Sequence, residues 1–151
     1  MRKHHMKVSV SEAFCYDIGM YPSAIYRVVA KALVVNSEGK ILVVKEGQDF
    51  WSLPGGGIEH GESAIDCIRR EIREEIGVDD VRVDEIVYST NVYLDRRDMW
   101  MTWIVHKAHL GSNDFVYGDG VTDARYIDLE EIRNSDHLLE KLIVEAVQAA
   151  T

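Results

Sequence analysis

The sequence predicts an α/β sandwich, and three observations carry that reading. Two strand-like runs, RVVAKALVV at Arg27 to Val35 and KILVVK at Lys40 to Lys45, precede a helical pattern that begins at Ser63. Two longer strand patterns follow it, Val81 to Leu94 and Trp100 to His109. A second helical pattern closes the chain, with Leu138, Leu139, Leu142, Ile143, Ala146 and Val147 forming its apolar stripe. The 151 residues, 46% hydrophobic and 28% charged, suit one domain large enough to bury a core.

Residues 1–25 read as an N-terminal extension packed on a domain of residues 26–151. Lys7-Val8-Ser9-Val10-Ser11 alternates like an edge strand, and Phe14-Cys15-Tyr16 and Met20-Tyr21-Pro22 resemble an aromatic-bearing loop. A specificity arm, or an arm that forms a homodimer, stays open. Asn36-Ser37-Glu38-Gly39 is a hairpin signal, so Lys40 to Lys45 is expected to pair back on Arg27 to Val35. Its near-continuous apolar run predicts burial on both faces. Phe50 to Leu53 is extended and leads into Gly55-Gly56-Gly57, where glycine permits positive φ and close backbone approach.

Ser63 caps a helix, and Gly77 ends it in the left-handed conformation. Ile65, Ile68, Ile72 and Ile76 recur at three- and four-residue spacing as its apolar stripe. At 100° per residue from Ile65, Glu74 falls at about 180°, Glu71 at about 240° and Glu75 at about 280°. The three carboxylates therefore share one arc beside the buried stripe. Like charges at these spacings repel, and a divalent cation that prefers carboxylate oxygens would compensate them.

Beyond this helix, the charged turn Asp95-Arg96-Arg97-Asp98 joins the two long strands into a hairpin. Gly111 to Asp123 is an acidic loop carrying Asp114, Asp119 and Asp123. Ala124 to Ile127 is a short strand, Asp128-Leu129-Glu130-Glu131 a capping-box start, and Ser135-Asp136 begins the last helix. The net charge of −9 argues against a nucleic-acid polymer as partner. Cys15 and Cys67 lack metal-ligand spacing and read as two buried free thiols. No apolar run spans a membrane, and Met1-Arg2-Lys3-His4-His5 lacks a signal peptide's apolar region, so a cytoplasmic location without membrane association is expected.

Gly56, Glu62, Arg70-Glu71, Ile72, Glu74-Glu75, Gly77 and Val78 match every fixed position of G-x5-E-x7-R-E-U-x-E-E-x-G-U, with U aliphatic. This stretch, residues 56 to 78, resembles the Nudix box. The resemblance implies an α/β/α sandwich with a mixed sheet. It also implies hydrolysis of a nucleoside diphosphate linked to another moiety, with Mg²⁺ or Mn²⁺ as cofactor. By the same resemblance Glu74 and Glu75 match the metal-binding pair, and Glu71 matches a further ligand or the base that orients water. The Gly55 carbonyl looks like another ligand, and Gly56, Glu62, Arg70 and Gly77 match structural positions. Family members often draw one more acid from a downstream loop, which makes Asp114, Asp119 and Asp123 the candidates.

A small nucleotide is the implied partner, with Arg27, Lys45, Trp51 and Tyr93 as candidate contacts. Tyr26, Phe50, Trp100 and Trp103 are alternative stacking surfaces for a base. The box does not discriminate among substrates. No proline follows Pro54, unlike the pattern of ADP-ribose hydrolases, and the coenzyme A pattern is missing. Tyr93 lies near where dinucleoside polyphosphate hydrolases carry a tyrosine. A nucleoside triphosphate or similar small polyphosphate is the expected substrate, ahead of dinucleoside polyphosphates and nucleotide sugars. Two rivals are a binding module, whose signature would be a lost box glutamate, and an isopentenyl-diphosphate isomerase, for which neither cysteine is well placed.

Overall fold

The computed structural model describes residues 26–47 and 49–151. Expectations for residues 1–25, including Cys15, lie outside the described residues. The elements in order are β1 Tyr26–Val34, β2 Ile41–Lys45, β3 Gly55–Gly57, α1 Ala64–Ile76, β4 Val81–Leu94, β5 Met99–Leu110, β6 Asp123–Ile127 and α2 Leu138–Ala149. A four-stranded sheet runs β3-β1-β5-β4, with β1 and β5 parallel and the other neighbours antiparallel. Strands β2 and β6 form a separate antiparallel pair. The architecture is an α/β/α sandwich with a mixed sheet.

Side chains alternate across a strand, and here both faces meet a core. On β1, Ala30, Ala32 and Val34 face the cluster built on Ile68, Ile72 and Ile76 of α1. Val29 and Leu33 face the cluster built on Leu142, Ile143 and Ala146 of α2. On β2, Leu42 and Val44 join the first cluster and Ile41 and Val43 the second. Two-sided burial is why these strands read as continuous apolar runs.

The expected pairing of the first two strands is corrected. The turn at Asn36 forms, with Asn36 N–H donating to the Lys40 carbonyl at 2.9 Å, but only Val35 and Ile41 bridge before the strands part. A strand has two hydrogen-bonding edges, and β3 and β5 take both edges of β1. Strand β2 therefore pairs with β6. Helix α1 keeps its expected ends: Ser63 Oγ accepts from Asp66 N–H at 3.1 Å, and Gly77 closes it at φ 71°. Its buried face is rotated from the expected one. Ile65 is 36% exposed, and Cys67 is buried as expected, its free thiol donating to the Gly56 carbonyl at 3.4 Å.

The last helix starts later than Ser135, because His137 is the cap and its Nδ1 accepts from Leu139 N–H at 3.3 Å. One turn into it, Glu140 is only 8% exposed and accepts the Trp51 backbone N–H at 2.7 Å. This bond ties α2 to the segment entering the glycine loop. Removing the acceptor strands a buried donor, which costs about 1–3 kcal/mol. Glu140→Ala is therefore expected to lose that much stability in urea unfolding, and Glu140→Gln, which retains an acceptor, less.

Candidate active site

Helix α1 and the glycine loop meet at close range. Gly55 has φ 115°, and a Cβ there would strike the Ala30 carbonyl. A Cβ at Gly56 would strike the Glu71 carboxylate. Only glycine lets this loop lie against both β1 and the acidic face of the helix.

Arg70 organises that face. Its Nε and Nη2 donate to the two Glu62 oxygens at 2.8 and 3.0 Å, a bidentate pair. Nη2 also donates to the Gly57 carbonyl at 3.2 Å, so Arg70 fastens the loop to the helix. Nη1 reaches Glu71 Oε1 at 2.8 Å and Glu74 Oε2 at 3.1 Å. These hydrogen bonds hold the Glu62 carboxyl down at about 2, and Glu62 in turn raises the basicity of Arg70.

Glu75 lies deeper, at 2% exposure, and accepts the Gly55 N–H at 2.9 Å. Burial pushes its carboxyl up to about 8, against the opposing pull of the Lys31 charge and the Gly55 N–H. Lys31, on β1 and 7% exposed, donates through Nζ to the Gly55 carbonyl. Sequence reasoning passed over Lys31. Its only signal was a lysine inside an otherwise apolar strand.

The acidic loop after β5 docks on the C-terminal end of α1, where helix carbonyls need donors. Val116 N–H donates to the Ile76 carbonyl and Gly118 N–H to the Glu75 carbonyl, both at 3.0 Å. A Cβ at Gly118 would strike the Glu74 carbonyl, so the approach requires glycine. The next residue, Asp119, turns at φ 46°. Carboxylate oxygens of Glu71, Glu74 and Asp119 lie within 4.8 Å of one another. Among the three loop candidates the structure brings Asp119 to the glutamates. Asp123 instead opens β6, in register opposite Lys45 of β2, and Asp114 is an exposed loop residue.

On the α2 side of the sheet opens a cavity of about 1010 Å³, lined in part by Val29, Lys31, Phe50, Tyr93, Met101 and Trp103, and Lys31 links it to the Gly55 carbonyl. Phe50 stacks on His137 at its edge, with ring centroids 3.6 Å apart. Trp103 Nε1 is, among the described residues, the buried side-chain nitrogen without a hydrogen-bond partner. Of the candidate contacts, Tyr93 lines the cavity and bonds to Asp98. Arg27 lies across Gly57, at the mouth of the loop. Trp51 is buried with Lys45 Nζ 4.4 Å and the Arg125 guanidinium 4.8 Å from its ring centre, so its indole and the Lys45 ammonium engage each other. Tyr26 and Trp100 stack at 6.3 Å on the exposed end of β1 and β5.

The donor set suits a hard divalent cation. Carboxylate oxygens of Glu71, Glu74 and Asp119 converge, and cations such as Mg²⁺ and Mn²⁺ take oxygen ligands of this kind; the Gly55 carbonyl and Glu75 carboxyl form a separate corner already bonded to Lys31 Nζ and the Gly55 N–H. The ammonium already bonded to the Gly55 carbonyl shows that this corner accommodates positive charge.

Fold and site together define a class: an α/β/α sandwich presenting an oxygen-donor cluster beside a glycine loop. A family model for the NUDIX domain matches residues 25–146, and the chain belongs to the Nudix hydrolase family. It is similar to an RNA pyrophosphohydrolase of Ruthia magnifica subsp. Calyptogena magnifica, 42% identical over 60 residues, 39% of this chain and 34% of that relative. The match thus spans about a third of that relative's length. A nucleoside triphosphatase NudI of Enterobacter sp. (strain 638) is 25% identical over 122 residues, 68% of this chain and 83% of the relative. The crystal structure of the MutT protein from Methanosarcina mazei Go1 shares the fold at a TM-score of 0.69 and 22% identity, covering 85% of this chain and 94% of that one.

The two perturbed glutamates make opposite contributions to stability. Glu75, whose folded value of about 8 exceeds the ordinary 4.5, destabilises the metal-free fold progressively as pH rises through that window. In EDTA, Glu75→Gln is expected to melt higher than the parent at pH 8, with the difference shrinking toward pH 5. Glu62, held at about 2, stabilises above pH 4.5 and loses that contribution as pH falls toward 2. Glu62→Gln is accordingly expected to melt lower at neutral pH and like the parent near pH 2. Melting curves across pH check both signs.

Proposed function

We propose that the protein is a divalent-cation-dependent pyrophosphohydrolase of small nucleoside polyphosphates, with a nucleoside triphosphate as first choice. The observation that carries this reading is the convergence of Glu71, Glu74 and Asp119 oxygens within 4.8 Å at the helix that also carries the buried Glu75. Glu71, Glu74, Glu75, Asp119 and the Gly55 carbonyl hold Mg²⁺ or Mn²⁺. When bound, such an ion would neutralise pyrophosphate oxygens and favour attack by water. Glu71 either completes the donor set or accepts the proton of that water. Arg70 keeps Glu71 and Glu74 in place, as its bonds to both require.

Arg27, at the mouth of the glycine loop, meets the phosphate chain. The nucleoside enters the cavity against Val29, Met101 and Phe50. The names of the RNA pyrophosphohydrolase and nucleoside triphosphatase relatives support a polyphosphate substrate. The RNA relative also favours a second reading, a triphosphorylated RNA 5′ end, although the net charge of −9 disfavours a long polyanion. A retained complete box speaks against a binding module.

Phosphate and pyrophosphate release over a panel of nucleotides, with Mg²⁺ at mildly alkaline pH, tests the order. Triphosphates are expected to lead. A clear preference for ADP-ribose or a nucleotide sugar would overturn the substrate assignment. Glu74→Gln and Glu75→Gln are each expected to lower kcat on the order of a hundredfold with the fold retained. Asp119→Asn is expected to weaken Mn²⁺ binding in a direct titration, whereas Asp114→Asn and Asp123→Asn titrate like the parent.

A further inference from the structure

Lys31 is a buried cation in a strand whose neighbours are apolar. Val29 and Leu33, two residues to either side, belong to the core between the sheet and α2. An uncompensated ammonium there would be costly, and a methionine or leucine would pack without that cost. What compensates it is the glycine loop: Nζ donates to the Gly55 carbonyl, while the Gly55 N–H is held by Glu75. Carbonyl, carboxylate and ammonium are thus contiguous around one residue. Lys31 also lines the cavity, with Nζ 6.0 Å from the centre of the Trp103 ring. Glu46, Asp49 and Asp95 are acids on the same lining, and the other basic side chains there are the exposed Arg97 and the half-buried His137. An anion entering this cavity needs a buried positive charge to meet it.

We propose that the Lys31 ammonium is an exchangeable counter-ion, holding the Gly55–Glu75 corner until a divalent cation takes it and then turning into the cavity to bind a phosphate oxygen of the substrate. The inference rests on the cation-dependent reading of the site given above. A divalent ion on the Gly55 carbonyl and an ammonium on the same oxygen repel each other, so the two compete. The lysine stem is flexible and its charge compact, which lets one side chain serve both partners. Cation binding would then prepare the cavity for phosphate, an ordered sequence built from a single residue.

The test compares the parent with Lys31→Met, which keeps the stem length and removes the charge. Mn²⁺ titration of the full chain, read by electron paramagnetic resonance, is expected to show affinity rising roughly five- to tenfold in the variant. With Mg²⁺ saturating, KM for a nucleoside triphosphate is expected to rise more than kcat falls. Mn²⁺ affinity that is unchanged or weaker in Lys31→Met would overturn the exchange, since a purely structural lysine gives that result. Tighter Mn²⁺ binding with an unaltered KM would overturn the transfer to phosphate. A parent that binds no Mn²⁺ would instead remove the functional reading itself. Should Lys31→Met fail to fold in EDTA, Lys31→Gln carries the same measurements, because it retains a donor for the Gly55 carbonyl without the charge.

Discussion

Glu71, Glu74 and Glu75 crowd negative charge onto one turn of α1, and the fold tolerates it because two cations divide the load. Arg70 takes Glu71 and Glu74 through one nitrogen while its other two nitrogens grip Glu62. Lys31 sits on the other side of the glycine loop, where its charge favours ionisation of the buried Glu75. A guanidinium suits the first task because its planar fork satisfies several carboxylates at once. With either cation removed, the acidic face would repel itself, and the loop between them would lose a fastening.

The glycine loop between them has little room of its own. Gly55 and Gly56 approach β1 on one side and Glu71 on the other, with no room for a Cβ at either position. Strand β3 consists of this loop, so the same backbone that shapes the site also occupies an edge of β1. Site and sheet are one construction. The Trp51 N–H bond to Glu140 extends it to α2, whose first residues Leu138 and Leu139 line the cavity together with Val29 and Lys31 of β1.

The acidic cluster also depends on a helix ending. Gly77 stops α1, its last carbonyls need donors, and the loop at Val116 to Gly118 supplies them. Docking this loop for backbone reasons delivers Asp119 to Glu71 and Glu74. A site residue is thereby placed by an interaction in which its own side chain takes no part.

What the sequence determined by itself was local. Helix α1 with its caps, the hairpin of β4 and β5, the two-faced burial of β2, and the arc of three glutamates all follow from periodicity and end signals within a few residues. The tertiary structure decided whatever depends on partners distant in the chain. Asn36 to Gly39 encodes a turn, yet β2 leaves β1 for β6, since β3 and β5 occupy both edges of β1. Ile65 fits the helical stripe but lies at its exposed edge, whereas Cys67 is buried as expected. Asp114, Asp119 and Asp123 are indistinguishable as sequence; only docking of the loop on α1 separates them. Lys31 reads as an interruption of a strand until the Gly55 carbonyl, 24 residues away, is seen to hold it. Periodicity reports which way a side chain faces, whereas the identity of its partner is set by loop closure and packing, which have no local signature.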